Sequence, residues 1–475
     1  MRRGEELTLK LDTFAFEGKS IARHEGLAVF VYGGVPGDEA KVRLTKIKKQ
    51  FLEADVIEVL APSPLRTEPR CKHFGTCGGC KWQNVDYQAQ LDFKRQHVID
   101  ALERIGGFKS VAVNPTLGAE QTYFYRNKME FSFGEKWLTE EEFESAVNGQ
   151  RSDDDRFALG LHISGRFDRV LDIEECWLQS ETSYRILNAV RTFCKERHLS
   201  IYSTVTHTGY LRHLVIRQSA HTKELMVNLV TSDDRPEILE EITTRLLAGF
   251  PQITTVVNNI TSRKSQVAVG DVEKTYHGPG LIHERLGKRT YRISANSFFQ
   301  TNTQQAECLY EAVRRMARLR SDDVVFDLYS GTGSIALHIA DDVREVVGIE
   351  AVESAVEDAR RNATINSVNN CQFVSGDLKE RLTRDASWLA HHPLPNVIIA
   401  DPPRSGMHEK VSKEILALHP DRIVYVSCNP TTQTRDLRIL CCDSQYAIAE
   451  VQPVDMFPHT YHIENVVSLM RSVRS

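Results

Sequence analysis

Cys428 follows the apolar run Ile423-Val424-Tyr425-Val426 and Ser427, and precedes Asn429-Pro430. A β-branched run of this kind reads as a buried strand, and Asn-Pro forces a turn after it. The thiol therefore falls at the mouth of a sheet, where open α/β folds take their substrates. A second apolar run, Asn396-Val397-Ile398-Ile399-Ala400, ends in Asp401-Pro402-Pro403-Arg404. A thiolate at such a position can add to an electron-poor double bond such as C5=C6 of uracil. Attack at C6 turns the ring into an enolate whose C5 can accept a methyl group. A base must then remove the C5 proton so that the thiol is eliminated. The segment His459-Thr460-Tyr461-His462-Ile463-Glu464-Asn465-Val466-Val467 supplies a candidate for that base in Glu464. Strand alternation sets His462 and Glu464 on one face and Ile463 on the other. The plainer alternatives are a core cysteine at 428 and a solvated strand carboxylate at 464. Cytosine-directed enzymes of related logic place a second cysteine beside the proline of the other motif. None stands in Asp401-Pro402-Pro403-Arg404, which favours uracil.

A methyl source is suggested by Asp327-Leu328-Tyr329-Ser330-Gly331-Thr332-Gly333-Ser334-Ile335-Ala336, which follows another strand-like run. Glycines at 331 and 333 permit a tight turn and close approach of backbone to a ligand. Ala336 also satisfies the relaxed dinucleotide fingerprint, so the loop alone admits either cofactor. Asp327 favours S-adenosylmethionine, because a carboxylate there suits an ammonium and a sulfonium and would repel a pyrophosphate. Glu350 is placed to bind a ribose diol, and Asp377, after Gly376, to accept from adenine.

Three more thiols crowd one loop in Cys71-x5-Cys77-Gly78-Gly79-Cys80, and Cys176 is the best placed fourth. Four thiolates suit zinc or an iron–sulfur cluster. Zinc sites more often pair two short Cys-x2-4-Cys motifs, so one triplet with a distant fourth fits a cluster better. Cys194, Cys308, Cys371, Cys441 and Cys442 show no such pattern and read as packing residues.

The elements that must position these groups follow from pattern. Residues 5–60 read as short strands with Gly and Pro turns, a small barrel. Ala61-Pro62-Ser63-Pro64 reads as a linker. From Cys71 to about 290 the chain is mixed α+β. A helix is expected over Leu91–Ile105, and a hairpin from Leu211–Arg217 and Glu224–Val230. A further helix, capped by Ser232-Asp233-Asp234, is expected to end near Leu247. The acidic stretch 140–155 reads as a surface insertion. From about 291 the pattern alternates regularly. Strands are expected at Val324–Leu328, Glu345–Glu350, Cys371–Val374, Asn396–Ala400, Arg422–Val426, Ala447–Val451 and Ile463–Leu469, in a doubly wound, mostly parallel sheet.

The totals set limits. A chain of 475 residues is too long for one core and suggests about three domains. A net charge of −5 counts against a surface that attracts nucleic acid throughout. A local patch such as Lys41-Val42-Arg43-Leu44-Thr45-Lys46-Ile47-Lys48-Lys49 would have to serve, although a solvated strand face explains that run as well. No apolar stretch reaches the roughly 18 residues of a membrane span, and the first residues lack a signal peptide's apolar core. A cytoplasmic protein is expected, in which the ten cysteines are not disulfides.

Together these residues resemble the RNA uracil-C5 methyltransferase family, and most of all its cluster-containing branch acting on 23S ribosomal RNA. The resemblance implies an α/β fold of an OB-like TRAM barrel over 1–62, a central α+β domain over 63–290 and a Rossmann-like class I methyltransferase domain over 291–475. It makes Cys428 the nucleophile, Glu464 the base, and Cys71, Cys77, Cys80 and Cys176 the ligands of a [4Fe-4S] cluster. Gln300 matches a glutamine at the methyl-donor site. Tyr329, Gly331, Gly333, Ser334, Glu350, Asp377 and Asp401 fall on other positions contacting S-adenosylmethionine. Phe298 matches an aromatic residue of the RNA-binding face. The barrel and the cysteine set favour ribosomal over transfer RNA, since the transfer-RNA branch typically lacks both. The loop Tyr329-Ser330-Gly331-Thr332-Gly333-Ser334 departs from the Phe-Cys-Gly-x-Gly-Asn of better-known members. A monomer is expected.

Overall fold

The computed structural model describes residues 1–138, 156–166, 168–265, 267–383, 389 and 392–472. The expected insertion at 140–155 lies outside the described residues. The chain forms two compact units. One comprises Met1–Arg70, Cys80–Glu120 and Gln305–Ser475, the other Cys71–Gly79 and Gln121–Gln304.

The first unit begins with a six-stranded sheet. Its strands are β1 (Glu6–Lys10), β2 (Thr13–Phe14), β3 (Ser20–His24), β4 (Leu27–Tyr32), β5 (Glu39–Ile47) and β6 (Phe51–Ala61), in the order β1-β5-β6-β4-β3-β2. Period-two alternation turns Leu9, Val29, Val31, Ala40, Val42, Leu44, Leu52 and Ala54 inward to one core. The same alternation turns Lys41 and Arg43 outward, and a register shift between Leu44 and Lys46 brings Lys46 out as well, where acidic neighbours meet them. Lys41 and Arg43 pair with Glu6 at 2.5 and 3.0 Å, and Lys46 with Glu53 at 3.1 Å. The basic run is thus a solvated strand face.

The proline-rich stretch after β6 ends the strand but is no loose linker. Ser63 is buried, its N–H donates to Asp38 at 2.9 Å and its hydroxyl to the Pro36 carbonyl at 2.6 Å. Arg66 closes the same turn on Asp38 with two bonds of 2.7 Å. A helix then spans Tyr87–Asp100 and continues as a π-helical turn over Ala101–Ile105, close to the expected segment.

The second unit holds β7 (Lys128–Glu135), β8 (Phe157–His162), β9 (Val170–Asp172), β10 (Leu211–Gln218), β11 (Leu225–Thr231), β12 (Thr255–Ile260) and β13 (Val272–His277). They run in the order β13-β12-β11-β10-β7-β8-β9. The expected hairpin is the antiparallel pair β10–β11. The helix after it starts at Pro236, with no side-chain cap. The expected caps are engaged elsewhere: Ser232 donates to the Gly209 carbonyl, Asp233 accepts from Arg235, and Asp234 pairs with Lys274. A separate hairpin, β14 (Leu281–Leu286) and β15 (Arg289–Ser294), follows.

The first unit resumes with a seven-stranded sheet of β16 (Val324–Leu328), β17 (Glu345–Glu350), β18 (Cys371–Ser375), β19 (Val397–Ala400), β20 (Arg422–Ser427), β21 (Tyr446–Val454) and β22 (Glu464–Arg471). Its order is β18-β17-β16-β19-β20-β22-β21. The first five are parallel, and β22 runs antiparallel between β20 and β21. All seven expected strands are present, and the doubly wound reading holds. Central strands covered on both faces must be apolar almost throughout, which is why β19 is wholly hydrophobic and β16 and β20 are so apart from Asp327 and the end residues Arg422 and Ser427. Among the described residues no helix is long and apolar enough to cross a membrane.

Candidate active site

The site forms where strands of the second sheet of the first unit end. Ser427 is the last residue of β20, so Cys428 leaves the sheet just beyond it. Asn429 caps the next helix by accepting from the Thr431 N–H at 3.1 Å, and Pro430 takes the first helical position, where no N–H is needed. The strand–Cys–Asn–Pro order is therefore what halts the sheet with the thiol half-buried at its edge. The final rung between β20 and β22 joins Ser427 to Asn465. Cys428 and Glu464 stand opposite each other, each one residue beyond that rung.

Glu464 is only 7% exposed, so the solvated-carboxylate alternative fails. Burial, and then the charge of Asp401, raise its carboxyl well above the usual range, against the pull of Arg404. Asp401 follows β19 and is itself pushed up to about 7 by burial. Cys428 is raised to about 11, first by burial and then by Glu464 and Asp401, while a hydrogen bond from Arg404 and its charge work the other way. Arg404 is a cation acting on this group, and its backbone is tied to the cysteine's own loop. Its carbonyl accepts from Asn429 Nδ2 at 3.3 Å and Thr432 Oγ1 at 3.1 Å. The sequence marks Arg404 only as the end of a motif; its contact with the thiol emerges from the fold.

His462 does not share strand alternation with Glu464, because β22 begins at Glu464 itself. His462 instead lies in an irregular lead-in, against Tyr461 at 4.3 Å. That lead-in is held by the helix Tyr87–Asp100. Lys94 Nζ reaches Asp455 at 2.5 Å and the Phe457 carbonyl at 3.1 Å, and the Tyr87 hydroxyl donates to Asp455 at 2.8 Å. Gln90 accepts from the His459 N–H at 2.9 Å. Lys94 and Asp455 are fully buried, so either alone would be a costly orphan charge.

The glycine loop after β16 lies at the same end of the sheet. Tyr329, Gly331 and Gly333 all have left-handed φ, of 62°, 52° and 79°. A Cβ on Gly331 would meet nothing within 4 Å, whereas one on Gly333 would lie 2.7 Å from the Phe373 ring. Gly331 thus faces open space and Gly333 packs into the core. Glu350 anchors the loop by accepting from the N–H groups of Gly331 at 3.1 Å and Val352 at 2.9 Å; its oxygens keep lone pairs for hydroxyl donors. Asp327 is buried; one oxygen accepts from the Ala336 N–H at 3.1 Å, while Oδ1 has no partner. A buried acceptor left in this way, beside an open glycine, fits a cationic ligand. Burial, then Asp401 and Glu350, push Asp327 up to about 8. Ser334 bonds the Tyr310 hydroxyl at 2.9 Å. Tyr329 and Asp377 line one cleft of about 1020 Å3, where Asp377 also accepts from the Lys379 N–H at 2.9 Å.

Gln300 and Phe298 belong to the second unit. The Gln300 carbonyl accepts from Asn127 at 2.8 Å, and Phe298 is 69% exposed, as a base-stacking residue must be. Cys71, Cys77 and Cys176 also lie there, while Cys80 opens a segment of the first unit. Each of those three sulfurs accepts a backbone N–H: Cys71 from His73 and Phe74, Cys77 from Gly79 at 3.4 Å, and Cys176 from Leu178. Such donors suit sulfur that carries negative charge, as in metal thiolates. Among the described residues no three His, Cys, Asp or Glu side chains are gathered closely enough to hold a metal ion. Of the cysteines expected to be packing residues, Cys194 is buried, but Cys308 and Cys442 are exposed.

A parallel sheet with a glycine loop after β16, acidic groups beside it and a thiol at a neighbouring strand end defines a class I methyltransferase with a candidate nucleophile. Residues 280–472 match the family model for tRNA (Uracil-5-)-methyltransferase, and residues 2–57 match the TRAM domain. An uncharacterized RNA methyltransferase of Chlorobaculum tepidum is 44% identical over 99% of this chain and 97% of its own length. One from Porphyromonas gingivalis is 43% identical over 98% of this chain and all of its own. The crystal structure of the tRNA (uracil-54, C5)-methyltransferase of Pyrococcus abyssi, in complex with S-adenosyl-L-homocysteine, superposes with a TM-score of 0.75. It is 28% identical and covers 98% of this chain and 100% of that one. The chain belongs to the TRAM-containing RNA uracil-C5 methyltransferase family and is an S-adenosylmethionine-dependent RNA (uracil-5-)-methyltransferase.

Proposed function

We propose that the enzyme makes 5-methyluridine at a uridine of 23S ribosomal RNA, with Cys428 as nucleophile and Glu464 as base. The observation that carries this reading is the placement of Cys428 and Glu464 opposite each other, each one residue beyond the last β20–β22 rung. S-adenosylmethionine supplies an electrophilic methyl group on a sulfonium. The Cys428 thiolate forms a bond to C6, and the C5=C6 electron pair moves toward O4. C5 takes the methyl group as the carbon–sulfonium bond breaks. Glu464 removes the C5 proton, that electron pair re-forms C5=C6, and the Cys428 thiolate leaves. Arg404 holds the sulfur and favours its anion. Gln300, Tyr329, Gly331, Gly333, Ser334, Glu350, Asp377 and Asp401 contact the methyl donor.

Residues 1–62 serve as the RNA-binding TRAM unit, 63–290 carry the cysteine site and 291–475 the methyltransferase domain. Cys71, Cys77, Cys80 and Cys176 hold a [4Fe-4S] cluster in a structural role, supported by the N–H groups directed at Cys71, Cys77 and Cys176. The enzyme acts as a cytoplasmic monomer. The TRAM match and the cysteine set support ribosomal RNA. A second reading, a transfer RNA uridine, is supported by the similarity to the Pyrococcus abyssi enzyme over 98% of the chain. Incubation with transcripts of 23S ribosomal RNA and of transfer RNA, followed by nucleoside mass mapping, distinguishes them. 5-Methyluridine in the ribosomal transcript alone is expected; in the transfer RNA alone, it would replace the first reading with the second.

A further inference from the structure

Next to the thiol the first unit displays aromatic rings that the chemistry leaves unused. Phe16, in the turn between β2 and β3, is 39% exposed. Its ring lies 6.1 Å from that of Tyr461, inclined at 65°. Tyr461 lies 4.3 Å from His462, and His462 meets Phe457 edge-on at 6.2 Å. Tyr461 and His462 are half-buried, so part of each ring is open. Tyr461 and His462 lie three and two residues before Glu464, the first residue of β22, which stands one residue beyond the Ser427–Asn465 rung just as Cys428 does; this puts both rings at the same mouth.

These rings are held firmly. Gly18 has φ 81°, and a Cβ there would lie 3.1 Å from Tyr461 Cδ1 and 3.2 Å from Trp82 Nε1. The N–H groups of Lys81 and Trp82 both donate to the His459 carbonyl, at 2.8 and 3.0 Å, fixing the segment that carries Tyr461. A rigid ring loses little entropy when a ligand stacks on it.

We propose that Phe16, Tyr461 and His462 form a stacking platform for a nucleotide flanking the target uridine. The proposal rests on Cys428 being the nucleophile. A uridine that reaches a thiol at a strand end must leave its stack, and its neighbours then lose a stacking partner. Aromatic side chains replace that partner for any base, because every base presents a π-face. Charge is a poor substitute here: the chain is net acidic, and the outward basic row of β5 is already paired with Glu6 and Glu53.

The test uses the full-length enzyme and 5-fluorouridine-substituted transcripts of 23S ribosomal RNA and of transfer RNA, with the rate of covalent adduct formation followed against RNA concentration. Phe16→Ala and Tyr461→Ala are each expected to raise the half-saturating RNA concentration about tenfold, with S-adenosylmethionine affinity and the limiting rate unchanged. Phe16→Trp and Tyr461→Phe should behave as wild type. Tyr461→Ala also removes packing on Gly18, so Phe16→Ala, in an exposed turn, decides the matter, with thermal melting recorded for both. Half-saturation unchanged in Phe16→Ala overturns the platform alone, as it would if the rings served a protein partner. No adduct from wild type with either RNA overturns the nucleophile and, with it, the platform.

Discussion

Cys428, the residue after β20, and Glu464, the first residue of β22, both stand one residue beyond the rung that joins Ser427 to Asn465 in this antiparallel pair. The proposed nucleophile and base are therefore placed by the register of one strand pair. Burial raises Cys428 to about 11, so its thiol rests uncharged near neutral pH, and burial also lifts Glu464 well above the usual carboxylate range.

Arg404 is the group that opposes this resting state, so its loss should slow thiolate attack. At constant pH, Arg404→Ala removes the influence that lowers the Cys428 pKa, and the thiolate fraction falls. Adduct formation with 5-fluorouridine RNA should drop at least about tenfold, equivalent to about one pKa unit, and recover partly as pH is raised. Arg404→Lys should retain part of the rate. A wild-type pH profile in Arg404→Ala would remove Arg404 from the account.

Binding of S-adenosylmethionine should release protons. Burial raises Asp327 to about 8 and Asp401 to about 7, so both hold protons in the empty site at pH 6.5. A cation favours their charged forms, hence affinity should rise with pH between about 6 and 8. Titration calorimetry at pH 6.5 in buffers of different ionisation enthalpy reads the release directly. Asp327→Asn should diminish it. Affinity that is flat or falls with pH would contradict the assignment of these carboxylates to the cationic end of the donor.

The two loop glycines should fail differently when replaced. Gly333→Ala places a Cβ 2.7 Å from Phe373 at φ 79° and should lower the melting temperature markedly, by strain of about 1–2 kcal/mol plus the clash. Gly331→Ala meets no neighbour within 4 Å and should fold with only the backbone strain, yet bind S-adenosylmethionine at least tenfold more weakly. Equal melting and unchanged affinity for both would contradict the reading of this loop.

Much of this site is legible in the sequence because parallel strands covered on both faces must be apolar along their length. The interior parallel strands β16, β17, β19 and β20 announce themselves in that way, whereas the edge strands β18 and β21 carry polar and partly exposed residues; Cys428 stands out because Asn429-Pro430 can only end a strand. Glu464 is found as a candidate, but its neighbours are not. They depend on β22 inserting antiparallel between β20 and β21, a strand order that no local pattern encodes. For the same reason the contact of Arg404 with the thiol and the charge coupling of Asp401 to Glu464 appear only in the fold. Ser63 misleads in the opposite direction: proline on both sides suggests a loose linker, while Asp38, distant in sequence, captures its N–H. Ser232-Asp233-Asp234 carries a cap composition, but Gly209 and Lys274, distant in sequence, take Ser232 and Asp234, and Asp233 accepts locally from Arg235.

The cysteine set should bind iron and support folding without taking part in methyl transfer. Anaerobically purified protein is expected to be brown, with a broad visible band that Cys176→Ser abolishes together with several degrees of melting temperature. Any folded Cys176→Ser should still form the Cys428 adduct. Stoichiometric zinc with no visible band would contradict the cluster.

The most direct test of covalent catalysis is mass spectrometry of the protein after incubation with S-adenosylmethionine and uridine-containing substrate RNA. In Glu464→Gln the C5 proton stays in place, so a methylated RNA adduct attached through Cys428 should accumulate. In Cys428→Ala there should be no adduct and no 5-methyluridine. Formation of 5-methyluridine by Cys428→Ala at a rate near that of wild type would contradict the account.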